Sequence, residues 1–272
     1  MEKPGREQSP VDNPKRLGRP GIRHRGEFIT PIVPIVPYGD IAVAPIGDVI
    51  LCRNGQNSVL RMNVIAVVAQ KGGVGKTTVT QCLAVEALRQ GLAAAIIDAD
   101  PQRSATEWGE QREAAEIDAP PVVPLGSKSL KSVVASLRDR GAAFVVIDTP
   151  PHSAPAINAA LDVSTGAVMV TRPNPMDVRA LEATWGIVSR MAKPSAAVFT
   201  QTPPGSRARA LTLAKGRLDD LGIPNCPVPL TYTLSFPYAQ AEALAVQERE
   251  PTSKARAEIA EVWSWLRRSA IC

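Results

Sequence analysis

A short apolar run followed by a glycine-rich turn constrains the fold of this chain more than any other feature of its sequence. The run Val64-Ile65-Ala66-Val67-Val68-Ala69 is typical of a buried strand, and it leads into Gln70-Lys71-Gly72-Gly73-Val74-Gly75-Lys76-Thr77-Thr78. A strand, a glycine-rich turn and a helix start in this order direct backbone N–H groups and a helix N-terminus at one anion. The segment therefore predicts a phosphate-binding loop.

The loop carries two lysines, Lys71 and Lys76, five residues apart. The strict P-loop pattern has glycine at its first position, where this chain has Gln70. Two cations around one loop need more negative charge than a single triphosphate in a single subunit conveniently offers. The additional lysine is therefore a positive charge that one triphosphate bound to one subunit does not account for.

Composition limits the possible classes of protein. The 272 residues are 44% hydrophobic and 4% aromatic, which is enough for one α/β domain with a full core. The net charge of +5 is compatible with contact to polyanions without establishing it. Cysteines at positions 52, 82, 226 and 272 form no CxxC pair, so the sequence supports neither a zinc knuckle nor a disulfide framework and favours a reducing cytosol. We find no signal peptide and no apolar stretch of about 18 residues.

Residues 1–61 differ in character from residues 62–272, and we expect a boundary at Met62. The first 30 residues are predicted to be disordered, and the prolines of residues 31–37 predict an extended, polyproline-like segment. Two interpretations stay open for residues 1–61. They form a basic arm that contacts nucleic acid or a partner, or they are an idle tail or upstream sequence, with Met62 as the true start.

Residues 62–272 alternate between strand-like and helix-like patterns. Near-continuous apolar strands separated by helices predict a single doubly wound, mainly parallel sheet with helices on both faces, and a ligand site at the carboxyl ends of the strands. The expected strands are 64–69, 93–97, 121–125, 143–147, 167–171, 196–200 and 226–230. The expected helices are 76–89, 103–116, 129–140, 178–191, 208–221, 237–247 and 253–268.

Aspartates follow two of these strands, in Asp98-Ala99-Asp100-Pro101-Gln102 and in Asp148-Thr149-Pro150-Pro151. A carboxylate at a strand tip is typical of the magnesium site of a nucleotide-binding protein. Each aspartate alone is equally explained as a helix or turn cap. Three of them in register with a phosphate loop favour the nucleotide site, and Pro101 is expected to fix the turn that holds Asp98 and Asp100.

Together these three motifs resemble the ParA/MinD family of deviant Walker A ATPases. The similarity spans residues 62–272 and is greatest to small ParA-type partition proteins without an N-terminal helix-turn-helix domain; Ser104 and Trp108 extend it. The resemblance implies ATP and Mg²⁺ as cofactors. Lys76 would hold the β- and γ-phosphates, Lys71 would reach the nucleotide of the other subunit of a dimer, and Asp100 would orient the attacking water.

The remaining roles implied by the resemblance concern the metal and the nucleotide. Mg²⁺ would be held by Thr77 and Asp148, with Asp98 behind them. The phosphates would be lined by Gly72, Gly73, Val74, Gly75 and Thr78. The adenine would be contacted near Pro229 and Thr231, although residues 231–236 lack the arginine often found there.

The function implied by the resemblance is that of a slow, partner-stimulated ATP hydrolase that forms a homodimer on binding ATP. Such a protein is cytoplasmic and nucleoid-associated, binds DNA non-specifically, works with a ParB-like adaptor, and partitions a plasmid, a chromosome region or another large cargo. Candidate DNA contacts are the basic residues of two predicted helices: Arg207, Arg209, Lys215, Arg217, Lys254, Arg256, Arg267 and Arg268.

Alternative functions also come from the wider family. A MinD-like membrane-associated placement ATPase would use the last helix, whose apolar face is Ile259, Val262, Trp263 and Leu266, although Glu258 and Glu261 oppose binding to anionic lipid and the same face is typical of core packing. A cytosolic ATPase that positions organelles or chemoreceptors is another alternative. An iron-protein reductase is disfavoured because Cys82 and Cys226 do not follow strands as a cluster-bridging pair would.

Overall fold

The computed structural model describes residues 62–117, 119–205 and 208–272, so the expectations for residues 1–61 lie outside the described part. In these ranges, strands and helices alternate from residue 63 to residue 220, as the sequence predicts, and only helices follow. In chain order they are β1 (Asn63–Val68), α1 (Lys76–Arg89), β2 (Ala94–Asp98), α2 (Ser104–Ala114), β3 (Val122–Pro124), α3 (Leu130–Asp139), β4 (Phe144–Asp148), α4 (Ala154–Val163), β5 (Gly166–Thr171), α5 (Pro175–Val188), β6 (Ser195–Phe199), α6 (Ala208–Asp220), α7 (Ser235–Ala241), α8 (Val246–Arg249) and α9 (Lys254–Arg268).

The strands of the described residues form one parallel sheet in the order β3-β2-β4-β1-β5-β6. The chain leaves β1 toward β2 on one side and leaves β4 toward β5 on the other. The carboxyl ends of the adjacent strands β1 and β4 therefore flank a crevice, which is where open α/β sheets bind ligands. The strand register brings Asp148 beside Val67 on one side and beside Asp98 on the other.

Both faces of the sheet are covered, because alternate apolar residues of each strand point to opposite sides. Ile65 and Val67 belong to a core packed under α1, α2 and the C-terminal helices, whereas Val64 and Ala66 belong to a core packed under α3, α4, α5 and α6. The predicted doubly wound architecture is confirmed.

Helix α9 closes the first of these cores. Its apolar face is at most 5% exposed and consists of Ile259, Val262, Trp263 and Leu266. The ring of Trp263 meets that of Phe144 edge-on, with centroids 5.0 Å apart. The face that the membrane alternative requires is therefore occupied by core packing. Of the helices in the described ranges, none is both long and apolar enough to cross a bilayer.

Several sequence-based boundaries were wrong. Helix α4 was not predicted from the sequence; it begins where the Ser153 hydroxyl accepts a hydrogen bond from the Ala156 amide. The strand expected at residues 226–230 is not a regular strand: Cys226 and Leu230 donate to β6, but Pro227 and Pro229 have no N–H to continue the ladder. The helix expected at 237–247 is divided into α7 and α8 at Ala243, whose φ is 57°.

The helix expected at 178–191 begins earlier, at Pro175. The Asn174 side chain caps it by accepting a hydrogen bond from the Asp177 amide, and proline is favoured at the first helical position. It ends in a 3₁₀ turn at Ser189–Met191.

Candidate nucleotide-binding site

The glycine-rich loop lies between the end of β1 and the start of α1, at the crevice of the sheet. Gly73 and Gly75 have φ angles of 70° and 89°, which residues with a Cβ rarely adopt, and Gly75 precedes the first helical residue. The loop is held from one side by β6, whose following residue Thr200 donates its hydroxyl to the Val74 carbonyl at 2.6 Å. The turn after β4 holds it from the other side, because the His152 amide donates to the Gln70 carbonyl at 3.0 Å. The loop is therefore pre-formed.

Lys76 begins α1 and is 7% exposed. Burial lowers the pKa of its ammonium group, and the negative charges of Asp148 and Asp100 act in the opposite direction. A buried cation at a helix N-terminus adds to the positive potential of the loop amides. This arrangement favours an anion in front of the loop.

Asp148 ends β4 and lies under the same helix. Its carboxylate accepts hydrogen bonds from the hydroxyls of Thr77, at 2.6 Å, and of Thr80, at 3.4 Å. Burial raises the pKa of this carboxyl to about 7; the neighbouring charges of Asp98 and Asp100 act in the same direction, whereas Thr77 and Lys76 oppose it. The site therefore has more negative than positive side-chain charge, which suits a cation.

Asp98 and Asp100 lie at the end of β2 and have different surroundings. Asp98 is 3% exposed, and its carboxylate accepts hydrogen bonds from the Asp100 amide and from the amide and hydroxyl of Thr106. It thereby ties the start of α2 to the end of β2. Asp100 is half-buried, and its Oδ1 accepts a hydrogen bond from the Gln102 amide, which holds the carboxylate in an Asx turn.

Of the two aspartates predicted to hold the metal, Asp148 contacts the Thr77 hydroxyl and Asp98 does not. No group of three or more His, Cys, Asp or Glu side chains in the described ranges is arranged to hold a metal by itself. Mg²⁺ commonly binds through one or two protein ligands together with phosphate oxygens and waters. The Thr77–Asp148 pair and its excess negative charge fit an ion of that kind.

Lys71 differs from Lys76 in its surroundings. It is half-buried at the entrance to the loop, and its ammonium group makes no hydrogen bond or ion pair with any residue that the structure describes. Within the described part of the chain, Lys76 is thus buried near carboxylates, whereas Lys71 has no anionic partner.

A pocket of about 250 Å³ adjoins the loop on the side of α7. Thr78 lines it, as does Thr231, whereas Pro229 is not among its lining residues. Most of the other lining residues were not predicted from the sequence, among them Tyr232, Phe236, Pro237 and Gln240. The aromatic residues after Thr231 were a possible signal, but the pocket is assembled from three distant segments and the pattern of any one of them does not show it.

The candidate basic residues occupy two helices. On α6, Lys215 donates to the Pro227 carbonyl at 2.6 Å and Arg217 pairs with Glu182 at 2.8 Å, while Arg209 is exposed; Arg207 lies outside the described residues. On α9, Lys254 pairs with Glu258 at 3.4 Å. Burial raises the pKa of the Cys226 thiol to about 11, and the positive charges of Lys215 and Arg268 act in the opposite direction.

Neither of the cysteines considered for a metal cluster is poised as a ligand. Cys82 is 2% exposed in the core, and burial raises the pKa of its thiol to about 12. Cys226 is fully buried beside β6. Such thiols stay protonated, which disfavours the iron-protein alternative.

The fold and the loop define a nucleotide-binding protein of the P-loop class, and comparison with known proteins narrows the class. The model of the CobQ/CobB/MinD/ParA nucleotide-binding domain matches residues 65–193. The chain is 35% identical over 167 residues, 59% of its length, to maintenance of carboxysome distribution protein A of Gloeobacter kilaueensis, of which this match covers 73%. It is 26% identical over 188 residues, 64% of its length, to protein ParA of Rhizobium radiobacter, of which 81% is covered.

A solved structure agrees with these relatives at the level of the fold. The septum site-determining protein MinD of Pyrococcus horikoshii, complexed with Mg-ADP, superimposes with a TM-score of 0.60 and 17% identity, covering 77% of this chain and 97% of that one. The chain belongs to the ParA/MinD family of P-loop ATPases.

Proposed function

We propose that this protein is an ATP-dependent dimerising switch that binds DNA non-specifically and positions a plasmid, a chromosome region or another large cargo. The observation that carries the proposal is the second lysine of the loop. Lys71 lies beside a phosphate cradle without an anionic partner in the described residues. An anion bound to a second copy would satisfy it.

The cofactors in this proposal are ATP and Mg²⁺. Lys76, Thr78 and the amides of residues 72–75 would hold the phosphates, and Thr77 and Asp148 would hold the ion, with Asp98 fixing the adjacent strand end. Bound Mg²⁺ supplies positive charge that offsets the charge of the phosphates. Support comes from the excess of carboxylates around Asp148 and from the Mg-ADP complex of the MinD relative.

Hydrolysis would depend on Asp100 and Lys71. One oxygen of Asp100 accepts the Gln102 amide, so the other is available to orient a water molecule. Lys71 of the second copy would stabilise charge on the transferred phosphoryl group, since phosphoryl transfer depends on positioning and electrostatics. Each subunit alone is then an incomplete catalyst, and turnover is slow until a partner completes or distorts the dimer.

The non-specific DNA contact would come from exposed basic residues, among them Arg209 of α6 and Arg268 of α9. Dimerisation doubles the number of phosphate contacts. An adaptor of the ParB type would link the DNA-bound dimer to its cargo and stimulate hydrolysis. In this proposal the protein is cytoplasmic and nucleoid-associated and has no membrane contact, because the apolar face of α9 is buried.

Light scattering tests the switch. The Asp100→Ala variant cannot orient water and should accumulate as an ATP-bound dimer, with twice the mass that it has in ADP. Asp139→Ala, which changes an exposed aspartate on α3, is the matched control and should behave as the wild type. A monomeric Asp100→Ala protein at saturating ATP would refute the proposal.

The relative from Gloeobacter kilaueensis raises one particular cargo. Its name concerns the distribution of carboxysomes, so an organelle is a second candidate beside a plasmid or chromosome region. The neighbouring reading frame separates the two candidates. A small DNA-binding adaptor encoded there supports segregation, whereas an organelle-shell or chemoreceptor component supports cargo positioning.

A further inference from the structure

Helix α9 carries a buried carboxylate that faces the wall of the pocket beside the phosphate loop. Glu258 is 8% exposed. Its Oε2 accepts a hydrogen bond from the Thr231 amide at 2.8 Å, and its Oε1 accepts one from the Thr231 hydroxyl at 2.5 Å. Both donors of one pocket-lining residue are therefore directed at a single side chain of another element.

The same segment is held from its other side by the residues that follow β6. The Thr202 amide donates to the Leu230 carbonyl at 3.0 Å, and the Tyr232 amide donates to the Thr202 carbonyl at 2.8 Å. Residues 230–232 are thus fixed between the strand end and α9. Neither donor of Thr231 is available to a ligand, so this residue contributes to the pocket by its position and shape.

A buried carboxylate is costly unless it is paired, and Glu258 has its partners. Besides the two donors of Thr231, the Lys254 ammonium lies 3.4 Å from Oε1. Hydrogen bonds to an ionised acceptor are stronger than neutral ones, so the contacts of Glu258 restrain residues 230–232 well. A restrained wall lowers the entropy that a ligand must remove on binding.

We propose that Glu258 is the positioning residue of the nucleotide-base pocket, an inference that depends on the proposed function because it takes the ligand of the loop to be a nucleoside triphosphate. Glu258 does not touch the nucleotide. It fixes Thr231 and thereby the wall that receives the base and ribose, while the phosphate loop is held by other contacts, from Thr200 and His152. Base binding and phosphate binding are therefore separable.

The test compares nucleotides with inorganic tripolyphosphate, which has the phosphates of a nucleoside triphosphate but no base or ribose. Dissociation constants of ATP, GTP and inorganic tripolyphosphate, each with Mg²⁺, are measured by calorimetry on the full chain. Glu258→Ala should weaken ATP about tenfold and narrow the difference between ATP and GTP, and it should leave tripolyphosphate within about twofold.

Three further variants keep the test sharp. Glu258→Gln should restore ATP binding, since its carbonyl can accept from the Thr231 amide while its NH₂ donates to the hydroxyl oxygen. Thr231→Val removes one donor only and should weaken ATP about threefold, which covers the case in which Glu258→Ala does not fold. Glu261→Ala, an exposed glutamate on the same helix, is the matched control and should bind all three ligands as the wild type does.

Each result decides one question. Wild-type affinity and base preference in folded Glu258→Ala, or in Thr231→Val if the first variant does not fold, would overturn the positioning role alone. Equal losses for ATP and tripolyphosphate would also overturn it, because the effect would then reach the phosphate loop. If the wild-type protein bound neither ATP nor tripolyphosphate, the proposed function would be refuted instead.

Discussion

At the scale of single residues, Asp148 links the nucleotide site to the stability of the fold. Burial raises the pKa of its carboxyl to about 7 in the folded protein, from the ordinary value of 3.8. A folded-state pKa above the unfolded value means that the protonated form favours the fold. The stability is therefore greatest below the unfolded pKa and is lost as the pH rises through the folded pKa.

The nucleotide-free protein should accordingly become less stable from about pH 4 to about pH 8, by on the order of 4 kcal/mol at most. Asp148→Asn retains an oxygen that accepts from Thr77 and cannot ionise, so its stability should change much less over this range. Urea unfolding at both pH values measures the difference. Asp162→Asn, on the exposed surface of α4, is the control, and parallel pH profiles for wild type and Asp148→Asn would contradict the assignment.

The two lysines of the loop should fail in different ways when they are replaced. Lys76→Ala removes the buried cation of the cradle and should abolish ATP binding. Lys71→Ala should keep monomer ATP affinity within about twofold and lower the hydrolysis rate by about a hundredfold or more, since it removes a charge that acts on the nucleotide of the second copy. Fluorescent-nucleotide titration and phosphate release measure the two effects, with exposed Lys128→Ala as the control. Equal ATP affinity in Lys76→Ala and wild type would count against the cradle.

At the scale of elements, the parts that could be predicted are those whose physics is local. The apolar run of β1, the glycines of the loop and the aspartates after β2 and β4 each specify their conformation within about ten residues. Helix α4 was missed because it follows Pro150 and Pro151, which are typical of a loop, and because its Ser153 cap is a short signal. The strand prediction at residues 226–230 was wrong because two prolines there outweigh an apolar pattern.

The base pocket could not be predicted from the sequence for a different reason. Its walls come from α1, from the end of β6 and from residues 230–240, which are brought together by hydrogen bonds to the residues after β6 and by the packing of α9 on the sheet. Glu258 illustrates this, since its sequence context indicates only a charge that opposes lipid binding. Its two bonds to Thr231 depend on contacts 27 residues apart in the chain.

A buried arginine connects α2 to α8 and to the turn that precedes α8. Arg112 is 2% exposed, donates to the Ala243 carbonyl at 2.9 Å, forms two bonds with Glu248 at 2.8 and 2.9 Å, and lies over the Trp108 ring. Because removing one partner of a buried pair leaves polar groups unsatisfied, Arg112→Ala should lower the free energy of unfolding by about 3 kcal/mol.

The matched control for that change is Arg103, which forms an ion pair with Glu110 on the surface beside the same helix. Both side chains are more than half exposed, so Arg103→Ala should cost about 0.5 kcal/mol or less. Urea unfolding of the two variants gives the comparison. Similar losses for both would show that the Arg112 bonds do not hold the two segments together.

At the scale of the whole molecule, the sheet places the nucleotide site and the basic residues at different parts of the described chain. The crevice lies between β1 and β4, whereas α6 and α9, which carry the basic residues, pack on opposite faces of the sheet. A protein with this arrangement can bind nucleotide at one part of its surface and contact DNA at another.

DNA binding should therefore require ATP and should be sensitive to salt. In the Asp100→Ala background, replacing both Arg209 and Arg268 by Ala should weaken DNA binding about tenfold or more. The same change should flatten the salt dependence by roughly one unit of slope for each DNA phosphate that is no longer neutralised. Replacing exposed Lys131 and Arg138 of α3 by Ala changes the same net charge and should have little effect. Equal losses in both pairs, measured by fluorescence anisotropy, would indicate a net-charge effect without a localised surface.

The most direct measurement of the central claim is a crystal structure of the Asp100→Ala variant with Mg²⁺ and ATP. An ATP-dependent dimer requires two copies facing each other across their nucleotides, with Lys71 Nζ of each copy about 3 Å from a phosphate oxygen bound to the other. A single copy with Lys71 directed into bulk solvent and no second molecule opposite it would contradict the proposed dimer.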